Sequence, residues 1–484
     1  MKKRQGKKVP RLHAVLGVMA VLGLPAAAAT LQVDDSGGTP YATIQSAIDA
    51  AVPFTDDVFV NCGVYAENIV MVNGVSVSGA GPGCTIIDGG ASGSVVTAID
   101  IGAGTSLEGF TIRNGSSARG GGIFAEQSAL TIRGNLIEAN NATDLGGGIH
   151  VTQDVLRMAD PNPVITQNVI RQNVAGNFGG GIALYLAYDA TITSNIIAEN
   201  TAAQGGGGLD VFSSFPEIVN NTIAHNCLQG AGNACVQGGG GIAVTNSAIV
   251  QIANNAIVWN EAFSGGAGVD AAGGSTSINF SSNDTFGNVA GSSPPSPAEY
   301  SGVADPTGAA GNLSVDPLFV NENARAASYQ PRSDSPLVEA GGAALAPVSD
   351  ARGIPRPLDG DVDGNAQHDI GARENEGATR LTFSSSSVIG WDASINPSAT
   401  WNLYRGDLAV LRSSMPPIYT QDPAVVPNAT RWCGVPTPSV TDTDPLAAGE
   451  VVFYLAVVNG AIEGTLGFDS TPIERGFSNP NRCP

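Results

Sequence analysis

Beyond residue 8 the chain has no lysine: all four, Lys2, Lys3, Lys7 and Lys8, stand at its start. Charged residues make up only 13% of 484 positions and aromatics 6%, with four His and six Cys. Each shortage excludes something. Few clustered cations exclude a nucleic-acid partner, whose phosphates need them. Cysteines without Cys-x-x-Cys spacing or a His partner at ligand spacing argue for disulfides over a zinc site. The absence of amphipathic runs of ten or more residues excludes helical bundles and helical solenoids. After residue 29 no apolar run is long enough to cross a membrane as a helix. The basic start with Arg4 and Arg11, the apolar stretch 14–24 and the small residues Ala26 to Ala29 read as a secretory signal over residues 1–29. Without it, 16 Arg face 43 acidic residues, a net charge of −27 against −21 for the whole chain.

What the chain does have is glycine, 63 residues of it, and a 42% hydrophobic content, the pattern of a β-rich fold with many turns. The middle repeats itself. An Asn-x-x-x-x-Asn block recurs at 135–140, 168–173, 195–200, 221–226, 255–260 and 283–288. A Gly-Gly-Gly-Ile block or close variant keeps step at 120–123, 146–149, 179–182, 205–209, 238–242 and 265–269. Short β-branched runs such as Thr191-Ile192-Thr193 lie between them. One such unit is too small to bury its own apolar face, and stacked units bury it against each other. Asparagine suits left-handed corners and side-chain ladders, and glycine permits close approach of neighbouring coils.

These blocks resemble the repeats of bacterial right-handed parallel β-helix proteins, the pectin-lyase-like superfamily, and those of polymorphic outer-membrane proteins. The resemblance implies an all-β solenoid, and residues 43–51 look like the short helix that caps its open end. The series Asp316-Pro317-Leu318-Phe319, Ser335-Pro336-Leu337 and Asp369-Ile370-Gly371-Ala372 resembles the terminal module of such proteins and reads as closing coils. From about Ala378 the repeat is gone, and alternating strands near Trp401 and Val451 are similar to a fibronectin type III-like sandwich. The expected organisation is a signal over 1–29, a right-handed parallel β-helix over 30–377 and a small β-sandwich over 378–484.

Six cysteines in an exported chain read as disulfides. By position they pair as Cys62 with Cys84, Cys227 with Cys235, and Cys433 with Cys483. The segment Asp359, Asp361, Asp363, Asn365, followed by Gln367 and Asp369, offers hard oxygen ligands at alternate positions, as a calcium loop needs. Ile370 stands where an EF-hand carries its bidentate Glu, so Asp369 is the expected substitute. Aligned coils place Ala139, Gln172, Glu199, His225 and Trp259 in one column, where Glu199 and His225 are candidate catalytic groups and Trp259 a candidate sugar contact. A second column holds His150, Ala183, Asp210, Ala243 and Asp270. Its polar members stand two coils apart, about 10 Å on strand spacing, too far for one metal. Glu138 and Arg171 fall together as a surface ion pair.

The Gly63-x-Tyr65-x-Glu67-Asn68 motif also occurs in pectin methylesterases, but their paired Gln and Asp motifs are missing here. Pectate lyases use a Lys or Arg as base; no Lys follows residue 8, and no Arg here is flanked by that family's usual Pro pattern. The expectation is therefore a secreted or cell-surface scaffold that binds carbohydrate or another extracellular polymer without catalysis. A polysaccharide lyase, glycoside hydrolase or carbohydrate esterase is the alternative, and an adhesive spacer the third reading.

Overall fold

One turn of the chain shows how the repeat builds the fold. Thr191–Thr193 runs as a strand, Ser194 bends it with φ 55°, and Ile196–Ala198 forms the next strand. Glu199 makes a second left-handed corner at φ 59°, Thr201–Ala202 follows, and a glycine turn leads into Leu209–Phe212. The coil then repeats, with Thr191 paired in parallel to Glu217. This is a computed structural model. It describes residues 28–375, except 154–161, 188, 228–235, 237, 247–248, 273–276, 292–294, 321–328, 333 and 361–364, together with residues in and beside six strands between 382 and 459.

Stacked in this way, the strands form three long parallel sheets. The first has ten strands, from Thr30–Val33 to Ser277–Ser281. The second has nine, from Gly63–Tyr65 to Asp284–Phe286, and the third nine, from Ile69–Val70 to Tyr300–Ser301. Shorter strands such as Asn141–Leu145 bridge the second and third sheets. Alternate side chains point inward. Ile132, Ile165, Ile192, Ile218 and Ile252 form one fully buried column of the core, and Ile137, Ile170, Ile197, Ile223 and Ile257 another.

Both asparagines of each block point into the coil and join ladders. Asn135, Asn168, Asn195, Asn221, Asn255, Asn283 and Asn312 are linked side chain to side chain at 3.0–3.2 Å. Asn140, Asn173, Asn200, Asn226, Asn260 and Asn288 form the second ladder at 2.9–3.1 Å. Each Oδ1 also accepts from the preceding asparagine's backbone N–H, which satisfies donors that the corners would leave buried. The second ladder ends where Asn288 Nδ2 donates to the Glu299 carboxylate at 2.5 Å. The glycine blocks allow coil-on-coil contact: a Cβ on Gly181 would sit 2.5 Å from the Gly208 carbonyl oxygen.

The expected cap is present as a helix over Ile44–Ala50, with Ile44, Ala47 and Ile48 buried against the first coil. Thr43 caps it through Ser46 N–H. Glu67 accepts from the N–H groups of Ile44 at 2.7 Å and Gln45 at 3.1 Å. The Gly63-x-Tyr65-x-Glu67-Asn68 motif is thus occupied structurally: Tyr65 Oη donates to the Asn61 carbonyl, and Asn68 Nδ2 to those of Ser92 and Ser94.

The stretch expected as closing coils does something different. Leu313 still pairs with Asp284, but beyond it the chain turns back along the outside of the second sheet. Phe319, Tyr329, Leu337, Ile370 and Ala372 pack on Ile196, Ala198, Ala224, Ala256 and Val258. The reason is local: in these coils the outward residues are mostly apolar, so the face needs cover. The described residues of 313–375 thus form a strap. Further on, strands between 382 and 459 make two three-stranded antiparallel sheets, and a buried ion pair of Arg405 with Asp442, 2.6 Å, ties a strand of one to the end of a strand of the other. Among the described residues no helix is long and apolar enough to cross a membrane.

Candidate functional site

Only part of the solenoid surface is open. The strap covers much of the second sheet. On the third, the outward residues nearest the glycine turns, from His150 to Asp270, are buried. The first sheet keeps its outer face accessible over most of its length. Along one outward row Ser76, Ser106, Thr131, Thr191, Gln251 and Asn279 follow each other at coil spacing, interrupted by Val164 and Glu217. All are half-buried or exposed. Hydroxyls and amides both donate and accept, so this row is a neutral hydrogen-bonding track with a step of about 4.8 Å.

The predicted corner column is brought together, but under the strap. Ala139, Gln172, Glu199, His225 and Trp259 all occupy left-handed corners, at φ 53–59°. Ala139 and Gln172 are exposed, whereas Glu199, His225 and Trp259 are half-buried. Gln172 Nε2 donates to Glu199 Oε2 at 2.8 Å, and Glu199 Oε1 is buried without a hydrogen-bond partner. Trp259 stacks on His225 at 5.1 Å, meets Phe319 edge-on and lies close to Gly287, where a Cβ would sit 2.7 Å from its Cδ1. Its ring is thus packed within the protein and half-buried.

The second predicted column lies on the outer face of the third sheet, each residue paired with the next. All five side chains are buried, because in each coil a glycine turn curls over them. Asp270 accepts from Gly266 N–H, but His150 and Asp210 have buried polar atoms without partners. Burial, with Arg119 nearby, pushes the His150 imidazole down to about 4; burial alone pushes the Asp210 carboxyl up to about 8. Next to this column Tyr185 stacks on Phe212 at 4.6 Å, and His150 on Phe124 at 5.8 Å.

Of the calcium candidates, Asp361 and Asp363 lie outside the described residues. Asp369 does not fit a ligand's role: it is fully buried, and its two oxygens accept from the N–H groups of Glu339 and Asn375. Among the described residues no group of three His, Cys, Asp or Glu side chains is arranged to hold a metal ion. Cys62 and Cys84 form a disulfide. Cys227 and Cys433 are disulfide-bonded too, while Cys235 and Cys483 lie outside the described residues. The Glu138–Arg171 pair forms at 2.7 Å, and Asp88–Arg113 and Glu108–Arg133 likewise join register partners on adjacent coils.

One functional row went unread in the sequence: the corner residues just before each first ladder asparagine. Gln167, Ser194, Asn220 and Asn254 hold the strap backbone through the carbonyls of Asp350, Ser349, Asp369 and Gly342, at 2.7–2.9 Å. The available signal was a polar side chain at this position in every strapped coil, where the unstrapped coil has Gly134.

Residues 98–285 match the family model described as right handed beta helix region. No curated protein matches the chain. Among solved structures it is similar to the A-module of mannuronan C-5 epimerase AlgE4 from Azotobacter vinelandii, at 18% identity. That alignment covers 51% of this chain and 85% of the module, with a TM-score of 0.24, too low to bear on activity. With parallel strands stacked coil on coil through the matched span and beyond it on both sides, the solenoid of this chain is a right-handed parallel β-helix.

Proposed function

We propose that the chain is exported and that its solenoid binds an extended neutral polysaccharide, or a comparable cell-surface polymer, along the first sheet without chemical turnover. The observation that supports this reading is the open row from Ser76 to Asn279, whose neutral groups repeat at the step of the coil. A polymer of hydroxylated units offers matching donors and acceptors at similar intervals. The net charge of −27 over residues 30–484 disfavours acidic polymers. The antiparallel sheets near the C-terminus would serve as a sandwich-like spacer.

The test separates retention from cleavage. The chain from Thr30 is incubated with immobilised neutral and acidic polysaccharides, with calcium and with chelator, and the polymer is sized afterwards. Retention of neutral polymers at constant chain length is the expected result. Thr191→Arg should weaken it about tenfold, equivalent to roughly 1.4 kcal/mol. Acidic polymers held more tightly than neutral ones would overturn the reading. A catalytic reading, hydrolase, lyase or esterase, has one observation in its favour: the Asp210 carboxyl is kept protonated, the form a general acid requires. Cleavage lost on Asp210→Asn, or on changing Glu199 or His225, would establish it. Neither retention nor cleavage would leave an adhesive spacer. A calcium loop on Asp359, Asp361, Asp363 and Asn365, without Asp369, is a separate proposal, checked by melting with and without chelator.

A further inference from the structure

The two ends of the first sheet are finished differently. It begins at Thr30–Val33, where Val33 is bridged by Tyr41 and the helix Ile44–Ala50 packs on the strand. It stops at Ser277–Ser281, and among the described residues no strand pairs with the outer side of that strand. The inward side chains show the consequence. Val250 and Ile252 are fully buried, whereas their register partners one coil later, Ile278 and Phe280, are only half-buried. Phe280 meets Tyr300 edge-on at 5.6 Å, and Tyr300 Oη donates to Thr285 Oγ1 at 2.7 Å. Apolar surface of the core is therefore left beside an open sheet edge.

The main chain there is set for pairing. In the preceding strand Gln251 N–H points back to the Pro216 carbonyl, while the Ile252 carbonyl turns to the next coil and accepts from Asn283 Nδ2. The Ser281 carbonyl likewise points back, to Asn254 N–H. By this alternation Ile278 and Phe280 turn their N–H and C=O groups to the open edge. The Phe280 carbonyl receives Asn312 Nδ2 at 3.4 Å and keeps a second lone pair. Edge strands are commonly guarded by a charge, a proline or a bulge, and Ser277-Ile278-Asn279-Phe280-Ser281 has none of these.

We propose that this edge is the interface with a second copy of the chain, the two Ser277–Ser281 strands pairing antiparallel about Asn279. The strand is self-complementary: read in either direction it runs hydroxyl, apolar, amide, apolar, hydroxyl. In this register Ile278 of one copy faces Phe280 of the other on the core side, and each such pair exchanges two main-chain hydrogen bonds. Asn279 meets its own counterpart on the two-fold axis. Stacking on the N-terminal end of a second copy would instead have to displace Tyr41 from Val33. Five residues a side fall short of the roughly 800 Å² per partner of a standard interface, so the dimer is a weak one, with a Kd of about micromolar or above. The net charge of −27 over residues 30–484 opposes it, so added salt strengthens it. The pairing needs no bound polymer, and its fate is separate from that of the first-sheet reading.

Sedimentation velocity on the full chain from Thr30, at about 1–200 µM, tests the proposal. The expected result is a monomer–dimer equilibrium with nothing larger, which tightens as salt is raised. Asn279→Glu sets two carboxylates opposite each other, on Cα atoms about 4.5 Å apart, and should raise the dimer Kd at least about tenfold. The position is exposed, so the coil accommodates the change, and the neutral Asn279→Thr should keep the dimer. Register has its own readout. Asn279→Cys should cross-link with itself on mild oxidation, whereas Ser277→Cys should cross-link only with Ser281→Cys. A monomer at every concentration would overturn the proposal, as would assemblies larger than a dimer or an undiminished dimer in Asn279→Glu. A monomer whose Ile278 and Phe280 amides resist hydrogen exchange would also overturn it, and would assign the edge to another part of the same chain.

Discussion

A single buried carboxyl sets a direction for stability against pH. Asp210 ordinarily titrates near 3.8 and in the fold near 8, so between those values the folded chain holds a proton that the unfolded chain has released. Its contribution is therefore present at low pH and lost as pH rises towards about 8. Asp284, pushed up to about 7 mainly by burial, acts in the same sense. His150 acts oppositely: with its imidazole at about 4 rather than 6.5, it adds stability as pH rises through that window. Asp210→Asn should therefore raise unfolding free energy by at least about 1 kcal/mol at pH 8 and change little at pH 4. Urea melts at the two pH values check it, and an equal gain at both would contradict the burial account. Ladder asparagines give a second contrast. Asn200→Ala removes the acceptor of Asn173 Nδ2 and N–H and the donor to the Ile170 carbonyl, all buried. It should cost about 2–4 kcal/mol, since each orphaned group costs roughly 1–3. Arg133→Ala breaks only a half-exposed pair with Glu108 and should stay within about 0.5 kcal/mol.

At the scale of the element, the strap is held by a polar edge and an apolar face. Leu337 is fully buried among Ile370, Ala198 and Val258. Leu337→Ala should cost about 2–5 kcal/mol. Limited proteolysis should then open the chain between 319 and 375 before any site in the coils, whereas simultaneous loss of both would show that the strap is part of the same cooperative unit. Legibility divides along the same line. The ladders were readable because every corner asparagine repeats in register with a glycine block. The strap was misread because Asp316-Pro317-Leu318-Phe319 and its kin carry turn chemistry with no period, and nothing in a periodic reading says that such a segment lies outside the coil rather than in it. The Glu199, His225 and Trp259 neighbourhood followed from coil alignment, but its burial depended on that same unread segment. His150 and Asp210 showed as a column, while their lack of partners is a property of packing that residue spacing does not encode.

At the scale of the whole molecule, the strap ties four successive coils through Gln167, Ser194, Asn220 and Asn254. A solenoid of near-identical units is otherwise indifferent to length, since a coil can be gained or lost and its neighbours close over the gap. Here one stretch of chain with a fixed set of carbonyls measures those four coils like a ruler. Removing residues 116–140, one coil ahead of the strap, should leave a folded and shorter rod. Removing 195–220, one coil beneath it, should displace every bond beyond the deletion, and circular dichroism with thermal melting would tell the two apart. Coil number in the strapped region is thereby fixed by the protein itself, while the uncovered end is free to vary in reach.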